Sequence, residues 1–133
     1  MAIQIHYWSS DVEKALAHYV SVLGFELAYR QPDDAPADFC ILKLGDAQIM
    51  IGLPPVAAIE EGRNDAALIQ QAAERVGSPG PISVYIQVAD IEVYHNSVQA
   101  RGAEIVEPLW ATPWGLKQFS VKDCDGNLTT FHN

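Results

Sequence analysis

The sequence predicts an α+β fold: two β-α-β-β-β modules in tandem, forming an open, cupped, mixed β-sheet with the helices outside. Strand-like and helix-like hydrophobic periods succeed one another in the same order twice along the 133 residues. Asp11-Val12-Glu13 returns as Asp90-Ile91-Glu92, and Gly24-Phe25-Glu26-Leu27 returns as Gly102-Ala103-Glu104-Ile105. The spacings are 79 (90 minus 11) and 78 (102 minus 24), so one residue is lost within the second helix or its exit. Matching helix entries and exits at a constant offset mark a duplicated unit.

Each element has a local reason. In "AIQIHYW", Ile3, Ile5 and Tyr7 alternate with Gln4, His6 and Trp8, the period of a strand with one buried face. Ser10 is the expected N-cap of the helix that follows, with Glu13 completing a capping box and Gly24 ending it. Val12, Ala15, Leu16, Tyr19 and Leu23 keep a helical period on the face turned to the sheet. Strands are expected in "FELAYR", "DFCILKL" and "AQIMIGL", the last two joined at Gly45-Asp46. The second module repeats the order with "ISVYIQV", the helix "DIEVYHNSVQAR" ending at Gly102, "AEIVEP", and a closing hairpin of "LKQFSV" and "NLTTFH".

One domain is expected over residues 1–133, with module one at 1–53, a linker at 54–80 and module two at 81–133. Pro and Gly clusters bound the linker, and "DAALIQQAAERV" inside it has the composition of a short helix. So long a connection suits a partly ordered flap over a site.

Composition excludes several classes of function. Hydrophobic residues make up 49% of the chain, which argues for a packed core over disorder. No run approaches the roughly 20 apolar residues that span a bilayer, and the start lacks a signal-peptide pattern, so no membrane partner and a cytoplasmic location are expected. The net charge of -9, with only eight Lys and Arg, disfavours nucleic acid and suits a cationic ligand. Cys40 and Cys124 form no metal-ligand spacing and read as free thiols.

The chain closes with "DCDGNLTTFHN". Its two aspartates and Gly126 suggest a calcium loop, but the required series of oxygen ligands and the terminal Glu are absent. Asp125-Gly126 is instead a hairpin turn, and Asp123 and Asp125 are expected to bond their own backbone.

The paired module, with "DVEKALAHYVSVLGFEL", "GPISVYIQVADIEVYHNSVQARGAEIV" and "PWGLKQFSVKDCDGNLTTF", resembles the vicinal oxygen chelate superfamily of glyoxalases, bleomycin resistance proteins and dioxygenases. In the last stretch Cys124 stands where Pro is usual. The resemblance implies the glyoxalase/bleomycin resistance fold and a homodimer. In metal-dependent members of that family, four inward strand positions supply His and Glu ligands. Carried over one at a time, they fall on Gln4, Met50, Ser83 and Thr130. None is a carboxylate or an imidazole, so no metal and no cofactor are expected.

Strand alternation places His6, Trp8, Gln48, Tyr85, Gln87, Leu128 and His132 on the same face as those four. Trp110 and Trp114, in the Pro-rich turn "EPLWATPWG", are candidates for closing the mouth of the cup. The expected ligand-binding set is Gln4, His6, Trp8, Met50, Ser83, Tyr85, Trp110, Trp114, Thr130 and His132, with no catalytic residue. His6 and His132, brought together across a dimer, offer a weaker metal reading. His18 and His95 read as surface residues, and Tyr29, Phe39, Phe119 and Phe131 as core or sheet-facing ones.

The function expected from these residues and the resemblance is metal-independent binding of a small organic, cationic aromatic ligand, in the manner of a bleomycin resistance protein that sequesters an antibiotic. The alternative is a metal-dependent lyase, isomerase or dioxygenase of the glyoxalase type. A third reading is an accessory protein whose grooved surface takes another protein.

Overall fold

The computed structural model describes residues 3–78, Gly80 and residues 82–133; the Ala2 end of the expected first strand and Pro81 at the start of module two lie outside them. Two four-stranded mixed sheets carry the fold, with the helices packed on one face of each. In the first sheet the order is β1 (Ile5–Trp8), β4 (Ala47–Gly52), β3 (Phe39–Leu44), β2 (Glu26–Gln31). The second has β5 (Val84–Gln87), β8 (Leu128–His132), β7 (Lys117–Lys122), β6 (Glu104–Ala111). In each, the first strand pairs in parallel with the last and the other pairs are antiparallel. β1 and β5 are therefore edge strands, the least constrained place in a sheet.

Helix α1 (Val12–Leu16) runs on into a π-helical stretch, Ala17–Val22, in which Leu23 N–H bonds the carbonyl of His18 at 3.0 Å. Its N-cap is Asp11, whose side chain accepts from Lys14 N–H at 3.1 Å, and not Ser10. Ser10 turns outward from the helix and donates to Asp125 Oδ1 from both its N–H and its hydroxyl, each at 3.1 Å. Glu13 likewise closes no capping box; it pairs with Arg30 and accepts from Ala37 N–H at 2.8 Å, holding the loop before β3. The corresponding cap in module two is Asp90, which accepts from Val93 N–H at 3.2 Å ahead of α4 (Ile91–Ala100). The repeated aspartate is thus the physical start signal of both helices.

The linker is more helical than its composition suggested. It holds α2 (Ala57–Glu60) as well as the expected α3 (Ala66–Arg75), and Ile69 and Ala72 of α3 are buried.

One hydrophobic core runs through both modules, joining Leu16, Tyr19, Leu42 and Ile51 of the first to Ile86, Val98, Phe119 and Phe131 of the second. Strand alternation then assigns the other face: Ile5, Tyr7, Ile49 and Ile51 turn to the core, so His6, Trp8 and Met50 turn away from it. Tyr29, by contrast with Phe119 and Phe131, is 47% exposed because β2 is an edge strand. His18 and His95 are half-buried rather than on the surface, each edge-on to an aromatic neighbour, Tyr19 and Phe119. Cys40 is buried and Cys124 exposed, both as free thiols.

Candidate functional site

The edge strand β1 positions the first group. Gln4, His6 and Trp8 border a cavity of about 390 Å³, closed on the far side by Ile82, Val84 and Asn127. That volume lies in the range of roughly 300–1,000 Å³ usual for small-molecule sites. The end of the linker reaches the same space through Arg75, Gly77 and Gly80. His6 and Trp8 also border a second cavity, of about 410 Å³, with Phe39, Gly52 and Arg63. They form the wall between the two.

His6 is tightly held in that wall. Its ring lies 4.1 Å from Trp8, centroid to centroid, and meets Phe39 edge-on at 6.0 Å. Its Nε2 is buried without a hydrogen-bond partner. Burial pushes the imidazole below its usual pKa, so the neutral ring is the form that packs here. Next to it, the Tyr7 hydroxyl lies 3.4 Å from Thr129 Oγ1, and its pKa is pushed up to about 12, chiefly by burial.

The remaining expected residues divide between other places. Gln4 and Met50 share a smaller cavity of about 230 Å³, and Tyr85 lines a groove of about 460 Å³ between β5 and the start of β4. Ser83 stands exposed just ahead of β5. Thr130 is buried and lies 2.6 Å, oxygen to oxygen, from the Ser120 hydroxyl. His132 is half-buried and packs 6.2 Å from Tyr85, its Nδ1 bonded to the carbonyl of Asn133 at 2.8 Å. The four positions carried over from the metal-dependent pattern thus line no common cavity among those bordered by Gln4.

Trp110 does not sit in a turn. β6 continues through Pro108 to Ala111, with irregular register between Glu107 and Trp110, and the bulge turns the indole onto the helix-free face. Trp110 Nε1 donates to Glu107 Oε2 at 2.9 Å, and Trp114 in the following turn meets Trp110 edge-on at 6.0 Å. Glu107 also accepts from Ser120 Oγ at 2.8 Å and from Gln118 Nε2 at 3.0 Å. Burial alone would raise the carboxyl pKa; the three donors outweigh it and hold Glu107 below the usual carboxylate range. Sequence reasoning singled out neither Glu107 nor Gln118 and Ser120, because it followed only the four strands that carry ligands in metal-dependent relatives. The alternation of Gln118 and Ser120 with Phe119 and Val121 was the available signal.

The fold is that of a known class: the chain belongs to the Glyoxalase/Bleomycin resistance protein/Dioxygenase superfamily, whose family model matches residues 3–131. Among solved structures it is similar to TioX from Micromonospora sp. ML1, with 24% identity, TM-score 0.73, and 100% of this chain and 98% of that one covered. A superfamily member from Sphaerobacter thermophilus DSM 20745 is 27% identical, with TM-score 0.65 and 99% and 97% covered. A bleomycin-binding protein complexed with bleomycin is 17% identical, with TM-score 0.68 and 100% and 98% covered. No curated protein matches the chain.

The residues carried over from the metal-dependent pattern, Gln4, Met50, Ser83 and Thr130, do not offer the donors that a divalent ion takes. Thr130 Oγ1 is engaged with Ser120, Met50 offers a thioether, and Gln4 and Ser83 offer only neutral oxygens. No group of three His, Cys, Asp or Glu side chains among the described residues is placed to hold a metal. The carboxylate nearest Thr130 along this hydrogen-bonded network, Glu107, already accepts from three neutral donors.

Proposed function

We propose that this protein binds a small organic molecule without a metal or other cofactor and sequesters it unchanged, as a homodimer in the cytoplasm. The observation that carries this reading is the β1 cavity. Its walls are indole, imidazole and aliphatic side chains with a few fixed polar groups, the chemistry of a site that stacks and hydrogen-bonds a ligand. Its carboxylate, Asp125, is already occupied by two hydrogen bonds from Ser10.

Likeness to a bleomycin-binding protein supports an antibiotic as the ligand, and the net charge of -9 supports a cationic aromatic one. The exposed Tyr85, Trp110 and Trp114 on the helix-free side of the second sheet support a dimer in which the partner faces that side across an open ligand cup, with Met50, Ser83, Thr130 and His132 among its walls. Nucleic acid and membrane have no place in this reading; among the described residues no helix is long and apolar enough to cross a bilayer.

The test is calorimetric titration with metal-free bleomycin and with uncharged aromatic probes in EDTA, together with sedimentation of the free protein. Saturable binding that survives EDTA and weakens in Trp8→Ala is expected. Binding or turnover that appears only after a divalent ion is added would reverse the proposal in favour of a metal-dependent enzyme.

A further inference from the structure

We infer that the helix-free face of the second sheet holds a protonated amine between Glu107, Gln118 and Trp110. This rests on the reading of that face as a ligand surface and names the chemical group it takes.

Glu107 is the anchor. Its partners Trp110, Gln118 and Ser120 are all neutral, so they orient the carboxylate and leave its charge uncompensated. The ion pairs found among the described residues employ Glu13, Asp65, Glu92 and Glu104, and none reaches Glu107. Two indoles meet at its border, Trp110 and Trp114, and an indole face attracts a cation.

Gln118 supplies the independent observation. Its side chain is 3% exposed, its Nε2 is committed to both oxygens of Glu107, and its Oε1 is buried with no partner. The opposite orientation of the amide would set oxygen against carboxylate, so the charge of Glu107 fixes which end is left over. A buried acceptor without a donor is costly and is satisfied by an incoming N–H. One amide's width thus separates an uncompensated negative charge from an unsatisfied acceptor.

The ligand group that meets both is a cation bearing at least one N–H, an ammonium or a guanidinium, attached to a body that lies on the indoles. A quaternary ammonium brings charge and no donor. A hard metal ion finds too few free oxygens, because the lone pairs of Glu107 are largely engaged. Trp110, 41% exposed and held by a single side-chain hydrogen bond, is the member that moves aside on entry.

The experiment uses the whole chain in EDTA at neutral pH and follows the three indole N–H signals by NMR, assigned through Trp→Phe variants. The probes are benzylamine, benzyltrimethylammonium and benzyl alcohol. Benzylamine is expected to shift the Trp110 signal saturably, with the other two about tenfold weaker or worse. Gln118→Met is expected to abolish the preference for benzylamine over benzyltrimethylammonium, and Glu107→Gln to remove the preference for charge. The probe series on the unaltered protein stands even where a variant does not fold. Equal response to benzyl alcohol or to the quaternary ion, or an unmoved Trp110 signal, overturns the inference. A shift confined to Trp8 would do so too, while leaving the β1 cavity as the ligand site.

Discussion

The phenol of Tyr19, in the first module's helix, donates a buried 2.8 Å hydrogen bond to Asp123 Oδ2 in the turn between β7 and β8. Asp123 also accepts from the N–H groups of Asp125 and Asn127 at 2.9 and 2.8 Å, and from the Asn127 amide at 3.0 Å. A carboxylate that is 5% exposed is therefore satisfied from both modules, three times by its own turn and once by the other half of the chain. Tyr19→Phe is expected to destabilise the protein by about 1.5–3 kcal/mol, because the buried charge is left one donor short. Thermal unfolding should show a midpoint several degrees lower. Tyr94→Phe, which removes a 2.7 Å bond to the neutral carbonyl of Leu23, is expected to cost less, about 0.5–1.5 kcal/mol. Equal effects of the two variants would mean that Asp123 does not depend on the other module.

Gly52 makes room for His6. A Cβ added at Gly52 would stand 2.7 Å from His6 Nε2, closer than the atoms tolerate, and a tight 3.3 Å from its Cε1. Gly52→Ala should push the imidazole off Trp8 and into one of the two cavities it separates, at a cost of about 1–2 kcal/mol. In a His6→Ala background the same change should cost almost nothing. A double-mutant cycle in urea measures the difference, and additive effects would show that the ring is not the obstacle.

Acid should weaken the fold through two histidines. Burial lowers the pKa of His6, and burial also lowers that of His18 against the opposing charges of Asp123 and Glu104. The unfolded chain binds these protons near pH 6.5 while the folded one does not, so the stabilisation is full above about pH 6.5 and declines as pH falls towards the folded-state values. Urea midpoints taken from pH 7.5 down to pH 5 should fall, and His6→Gln should flatten part of the slope. An unchanged slope in that variant would place the effect elsewhere.

How much of this was legible beforehand depends on the kind of signal involved. The duplication shows in sequence because Asp11 and Asp90 do the same local task, each capping the helix that follows by accepting from the N–H three residues ahead. Assigning the first cap to Ser10 failed because a serine hydroxyl one residue earlier fits the same local pattern, and only Asp125, 115 positions away, decides its use. The inward face of β1 was readable from strict alternation. Glu107 was not, because strict alternation sets positions 107 and 110 on opposite faces, and only the bulge in β6 brings the carboxylate and the indole to the same one. Long-range partners such as Tyr19 and Asp123 leave no trace in a local window at all.

Divalent ions should leave the protein's stability unchanged. In the family's metal pattern the final strand presents a charged oxygen, and here that strand presents Thr130, 4% exposed with its hydroxyl 2.6 Å from that of Ser120. Turning Thr130 outward to a metal would break that pair and leave Ser120 Oγ with Glu107 alone. Met50 stands opposite His6 in the β1–β4 register, so the adjoining position adds a soft thioether where a hard ion needs oxygen or imidazole. A ligand that binds only the folded state at a hundred times its Kd adds about 2.7 kcal/mol, a shift easily seen in a melting curve. Melting in EDTA and in a few equivalents of Ni²⁺, Mn²⁺ or Zn²⁺ should therefore give the same midpoint. Saturable stabilisation near stoichiometry would require carboxylate or imidazole ligands from positions other than these, and His6, which borders two cavities, and His132, packed beside Tyr85, would be the first to substitute.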